Sequence, residues 1–423
     1  MDLKKQKDYF KENSKDSNLY LNSIMGSQLF LPQGFFLNGI NSGIADRKKR
    51  DIALIHSEVP CVAAGLFTKN RVKAAPVIIS KKHLRNGRAQ AILVNSGCAN
   101  ACTGNRGMED AQMMAYDLAC QLGIKKEDVL LASTGVIGRF LPMSRVKQGI
   151  RKIAETMGSP SKPQFFAEAI MTTDTIPKII SRQFLTQNRK RAVICGLAKG
   201  AGMIHPDLAT LLCFIITDID IHKSLLQRSL MTATERSFNS LTIDGDTSTN
   251  DSVFVLANGR AGNRPINGAN QDFLRFQNNL NGVMLGLAEL IARDGEGATK
   301  LVRIVVRNAE SGVSAKKMAR HIASSSLVKT ALYGSDPNWG RLMAAIGSSG
   351  VRIDPQRIDI YFGKLQVTRN GEPASYSERK ANRILKKREV KIVIDLKQGK
   401  GEAEVYTCDL TPDYVKINSC YST

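Results

Sequence analysis

From about residue 29 onward, short apolar runs alternate with amphipathic stretches along the chain. Residues 51–57, 91–95, 129–133, 192–197 and 211–217 read as strands bounded by Gly, Asn or Thr. Met108, Ala111, Met114, Ala115, Leu118 and Leu122 recur at helical spacing, as do Leu280, Val283, Met284, Leu287, Leu290 and Ile291. Further strands are predicted at 301–306, 357–362, 390–396 and 402–408. Residues 1–28 are polar and read as a frayed extension. Without an internal repeat or a long linker, this mixture predicts an α/β (mixed α+β) architecture of enzyme type.

Composition narrows the picture little. The 423 residues are 43% hydrophobic and 23% charged, which is ordinary for globular chains and excludes whole-chain disorder. Charge changes it more: the net +22 favours acidic partners or substrates. The densest basic stretch, 379–391, has no aromatic residue for base stacking and reads as a solvated helix face, so no nucleic-acid partner is expected. Eight cysteines are too sparse for a disulfide scaffold, and Cys195 and Cys213 sit in apolar runs as small hydrophobes. Cys98 and Cys102 lack a second pair at zinc spacing, so no metal is expected. The start of the sequence has no apolar signal core and no apolar run is long enough to span a bilayer. The expectation is a cytoplasmic protein with no membrane association.

Candidate chemistry gathers in loops rich in Gly, Ser, Thr and Asn, at 95–104, 133–138, 172–178, 196–202, 244–251, 294–300 and 334–341. Each alone is a turn; together they suggest a site assembled from loops. Common templates fail: no phosphate-loop, HExxH or GxSxG motif is present, and the five histidines are scattered. Asp244, Asp246, Ser248 and Asn250 alternate as in a calcium loop. Thr249 and Val255 stand where that loop needs Gly and Glu, so a turn capped by side chains is the reading. At Ala209-Thr210 a Gly- and Pro-containing loop gives way to an apolar strand. Thr210 there is either an ordinary strand opener or a nucleophile activated by its own α-amine after the chain is cut.

Several longer motifs carry a resemblance. They are Phe67-Thr-Lys-Asn-Arg-Val-Lys-Ala-Ala-Pro76, Ser133-Thr-Gly-Val-Ile-Gly138, Thr172-Thr-Asp-Thr175, Ala198-Lys-Gly-Ala-Gly-Met-Ile204 and Ala209-Thr-Leu-Leu212. Asp244-Gly-Asp-Thr-Ser-Thr-Asn-Asp251, Asp294-Gly-Glu-Gly-Ala-Thr-Lys300, Gly334-Ser-Asp-Pro-Asn-Trp-Gly-Arg341 and a terminal Ile417-Asn418 with Thr423 complete the set. In these motifs, from about residue 31 to the end, the chain resembles the bacterial glutamate N-acetyltransferase (ornithine acetyltransferase) family.

The resemblance implies a self-processing enzyme with an N-terminal threonine nucleophile and layered sheets flanked by helices. It divides the chain into the extension 1–28, an α chain 29–209 and a β chain 210–423, cut between Ala209 and Thr210 into one catalytic unit that assembles as a heterotetramer. The implied reaction moves acetyl from N2-acetylornithine to glutamate in arginine biosynthesis, without a cofactor; some members also accept acetyl-CoA, so both donors are carried forward. Thr210 is the implied nucleophile and Thr134 and Gly135 the implied oxyanion hole. Thr173, Lys199, Thr210, Glu296, Asn418 and Thr423 are the implied substrate positions. Lys199 and Glu296 suit the carboxylate and ammonium of an amino acid. The alternation of Val415 and Ile417, with Tyr421, predicts a tail packed on the body. Cys98 departs from the family pattern, which more often has Asn there. The rival enzyme reading is a self-cleaving amidohydrolase or aminopeptidase that uses water as acceptor.

Overall fold

The computed structural model describes residues 29–45, 49–205 and 211–420. The extension 1–28, the junction residues Ala209 and Thr210, and Tyr421 and Thr423 lie outside the described residues.

Fourteen strands are formed among the described residues: β1 (Phe35–Ile40), β2 (Ile52–Phe67), β3 (Arg88–Asn95), β4 (Val129–Ser133), β5 (Lys178–Leu185), β6 (Arg191–Lys199), β7 (Leu212–Thr217), β8 (Ser252–Ala257), β9 (Leu301–Ala309), β10 (Asp359–Phe362), β11 (Leu365–Arg369), β12 (Glu372–Pro373), β13 (Glu389–Asp395) and β14 (Gly401–Cys408). One eight-stranded sheet runs β4-β3-β2-β8-β7-β6-β5, with β1 added on β2. A six-stranded sheet runs β12-β11-β10-β13-β9-β14.

The first sheet turns on β2. Its first part pairs with β3, its last part with β8, and the register breaks between His56 and Cys61. Ile55, Val94 and Leu130 from one half then share a core with Cys195, Phe214 and Phe254 from the other. Phe166, on the helix Pro163–Ala169, meets Phe214 edge to face there, with ring centroids 5.4 Å apart. The opposite faces of β6, β7 and β8 carry Ile194, Ile215 and Val255 into a second core under the helices Lys223–Arg236 and Gln271–Arg293. Strands covered on both faces must be apolar at consecutive positions, and LCFIIT of β7 and SVFVLA of β8 are buried throughout. Burial also pushes the Cys195 thiol up to about 12, as suits an inert core residue. The second sheet packs under the helices Gly312–Ala323, Trp339–Gly347 and Glu378–Leu385. The chain is mixed α/β with layered sheets flanked by helices.

Two expectations change. The basic stretch 379–391 is not one helix face: the helix stops at Leu385 and β13 starts at Glu389. Val390, Ile392 and Ile394 alternate at period two and point into the core beside β9. The tail packs, but as the helix Pro412–Cys420 and not through its apolar alternation. Val415 is 64% exposed, whereas Tyr414 and Asn418, one turn apart, make the contacts.

Candidate functional site

Strand ends bring the loops together. β6 ends at Lys199 opposite Leu212, where β7 begins, and Leu212 in turn faces Ser252, where β8 begins. β4 ends at Ser133, in register with Asn95 of β3. The Asn250 amide ties these groups, donating to the carbonyls of Ala99 (2.7 Å) and Ser133 (2.8 Å). Thr134 and Gly135 follow directly, with Thr134 buried and bridged to Cys98. Gly135 has φ +126°, and a Cβ there would lie 2.4 Å from the carbonyl carbon of Gly97, so only glycine fits.

Lys199 is buried and donates to Thr134 Oγ1 at 3.4 Å, with its Nζ 3.8 Å from Asp174 Oδ2. Asp174 also accepts from Lys178 Nζ (2.7 Å), from Gly200 N (2.6 Å) and from Thr172 N (3.1 Å). Lys178 reaches a second carboxylate, Asp294 Oδ2, at 2.6 Å, and the N–H of Thr175 donates to that same oxygen at 3.0 Å. Burial alone would lift the Asp174 carboxyl, but the charges of Lys178 and Lys199 override it and hold the group well below the usual carboxylate range. Burial lowers Lys199 below an ordinary lysine even though Asp174 and Glu296 favour its charge. Thr173, half-buried, sits in the turn between Thr172 and Asp174.

Glu296 joins from the loop after the helix Gln271–Arg293. Its N–H donates to Ala201 O at 2.8 Å, and its carboxylate occupies the space where a Cβ on Gly202 would sit, 2.4 Å away. Asn418 Nδ2 donates to Glu296 Oε2 at 2.7 Å. Beside them Asp244 accepts from the N–H groups of Met203 (2.6 Å) and Ile204 (2.8 Å), and from the Tyr414 hydroxyl at 3.3 Å. Burial raises the Asp244 carboxyl. Thr134, Lys199, Glu296 and Asn418 are therefore one connected group, strung along the segment 199–202, with Thr173 at its edge. An open groove of about 580 Å³, lined by His205, Glu235, Lys316 and Arg320 among others, contains none of the candidate residues.

Sequence reasoning gave no role to Asp174, Lys178, Asp294 or Asp251, and gave Asp244 only that of capping a turn. Asp251 Oδ1 accepts the N–H of Leu211 at 3.0 Å, just after the Ala209-Thr210 junction. The residue is fully buried, and burial raises its carboxyl well above the usual range. A signal existed: an acid that opens the apolar run Ser252–Ala257 has little room to reach water. The group as a whole offers a cation, an anion and a hydroxyl in a dry setting, which suits a zwitterionic substrate. Among the described residues no group of three or more His, Cys, Asp or Glu is placed to hold a metal ion.

Comparison with known proteins places these residues in context. The sequence profile of the ArgJ family matches residues 36–423. The arginine biosynthesis bifunctional protein ArgJ of Thermotoga neapolitana is 48% identical over 401 residues, covering 93% of this chain and 100% of that protein. The crystal structure of the arginine biosynthesis bifunctional protein argJ from Bacillus halodurans is 43% identical, covers 49% of this chain and 98% of that chain, and superposes with a TM-score of 0.48. An ornithine acetyltransferase from Mycobacterium tuberculosis, solved in complex with ornithine, is 37% identical, covers 41% of this chain and 92% of that one, and gives a TM-score of 0.38.

Proposed function

The chain belongs to the ArgJ family, and from that premise we propose that it transfers acetyl from N2-acetylornithine to glutamate, giving ornithine and N-acetylglutamate in arginine biosynthesis. It is an acyltransferase that acts on small molecules. In this reading the chain cuts itself between Ala209 and Thr210. Thr210 Oγ then attacks the acetyl carbonyl, with the freed α-amine of Thr210 as general base. Ornithine leaves, an acetyl ester remains on Thr210, and the amine of glutamate takes the acetyl group. No cofactor takes part; acetyl-CoA is carried as a second donor. The α and β chains form a cytoplasmic heterotetramer.

One observation carries the reading most directly, the contact between Lys199 and Thr134. An ammonium only donates, so Thr134 Oγ1 accepts from it and its own O–H is left to donate. That hydroxyl, with the N–H of Gly135, is suited to a tetrahedral oxyanion. Lys199 and Glu296 supply opposite charges for the carboxylate and ammonium of the amino-acid substrate.

The test offers acetylornithine and acetyl-CoA separately, with glutamate as acceptor. N-acetylglutamate with parallel double-reciprocal lines for the acetylornithine reaction supports an acetyl-enzyme. Intersecting lines point to direct transfer. Free acetate released without glutamate marks the amidohydrolase alternative.

A further inference from the structure

Self-cleavage and acetyl transfer make different demands on a base. In transfer, the free α-amine of Thr210 is available. In the uncut chain that nitrogen is the amide of the Ala209-Thr210 peptide and accepts no proton. Another group must take the Thr210 hydroxyl proton if the chain cuts itself.

Asp251 is placed for this. Its Oδ1 accepts, at 3.0 Å, the N–H of Leu211, which is the nitrogen bonded to the carbonyl carbon of Thr210. Four covalent bonds separate that nitrogen from Thr210 Oγ, so chain connectivity alone keeps the hydroxyl within about 5 Å of it. The second carboxyl oxygen, Oδ2, is buried and has no hydrogen-bond partner among the described residues. A buried polar atom left unpaired is costly, and its persistence calls for a reason. Around the carboxyl, burial favours the protonated form; the Leu211 N–H and the Lys199 charge pull the other way. A base tuned upward in this manner both takes a proton and returns it readily.

We propose that Asp251 is the proton shuttle of self-cleavage, taking the Thr210 hydroxyl proton and handing it to the departing amide nitrogen. This rests on the self-cutting reading given above. In the first step the Asp251 carboxylate accepts the proton and Thr210 Oγ bonds to the carbonyl carbon of Ala209. The bond from that carbon to the Thr210 nitrogen then breaks, and the nitrogen takes the proton from Asp251. The result is an ester from Ala209 to Thr210 Oγ and a free α-amine. Water adds to the ester with the α-amine as base, which releases the Ala209 carboxylate and restores the Thr210 hydroxyl.

The experiment follows the full chain after cell-free synthesis, with the cut fraction read on gels over time and across pH. Wild type, Asp251→Asn and Asp251→Glu are compared, with uncut Thr210→Ala as the reference for folding. The amide of Asp251→Asn still accepts from Leu211 but takes no proton. Cutting of that chain should slow by about 100-fold or more and lose its pH dependence, while its melting matches the Thr210→Ala chain. Asp251→Glu, which keeps a carboxyl, should recover part of the rate. Wild-type cutting should quicken as pH rises, because the base works ionised. Asp251→Asn cutting at the wild-type rate overturns the proposal alone. Two variants equally slow and both melting far below the reference also overturn it, in favour of a purely structural role. A wild-type chain that stays whole removes the self-cutting reading itself, and this proposal with it.

Discussion

Asn418 Nδ2 donates to Glu296 Oε2 at 2.7 Å, joining the helix Pro412–Cys420 to the loop after the helix Gln271–Arg293. The carboxylate it holds is almost fully buried. A hydrogen bond to a charged group contributes about 1.5–3 kcal/mol. Asn418→Ala should therefore lower kcat/KM for acetyl transfer by about 10- to 100-fold, at 1.4 kcal/mol per tenfold. Self-cleavage, which needs the Ala209-Thr210 peptide and its oxyanion donors rather than the tail, should proceed normally. Steady-state kinetics beside a gel of the two fragments checks both halves, and full-rate transfer would take the tail out of the site.

Lys199 is expected to hold a substrate carboxylate. Lys199→Met should raise KM for glutamate far more than it changes folding. The pH behaviour follows from burial, which lowers Lys199 from its ordinary value, so its charge is lost at lower pH than for an exposed lysine. Glutamate binding should weaken as pH rises through that lowered value. A pH profile of kcat/KM with the same alkaline limb in wild type and Lys199→Met would assign the limb to another group.

Thr134 supplies the free hydroxyl of the site. Thr134→Val keeps the shape and removes the donor, with an expected loss of about 100- to 1,000-fold in kcat. Gly135→Ala should fail earlier, in folding, because its Cβ would press on Gly97 at 2.4 Å. Purified yield and kcat distinguish the two effects; a soluble and active Gly135→Ala would show that this loop relaxes.

Lys178 is fully buried between Asp174 and Asp294. Removing one partner of such a group leaves uncompensated charge, at a cost of about 3–5 kcal/mol. Lys178→Met should lower the denaturant midpoint accordingly. Asp174, whose carboxyl is depressed, contributes stability present above about pH 4 that is lost as pH falls towards its own value. Lys178→Met should flatten that acid-side dependence in urea unfolding.

Much of the scaffold was legible because burial on both faces leaves an unbroken apolar signature. β4 spans the predicted residues, and β3, β6 and β7 differ from them by a few residues at most. The apolar pattern marks β2 only to Ser57, because Glu58 and Pro60 interrupt it where the register with β3 shifts. The site was less legible. Lys178 and Asp294 lie 116 residues apart, and a buried charge looks in sequence like any surface charge. The alternation of Val415 and Ile417 pointed to a packed tail, but the contacts are made one helical turn apart by Tyr414 and Asn418.

Transfer by the route proposed above passes through an acetyl group carried on Thr210. Purified protein is incubated with acetylornithine alone, its fragments are separated, and each is sequenced from its N-terminus and weighed intact. An acetyl-enzyme at Thr210 gives a fragment that begins at Thr210 and bears one acetyl group, lost again when glutamate is added. A fragment with any other start, or one that stays unmodified while transfer runs at full rate, would contradict it.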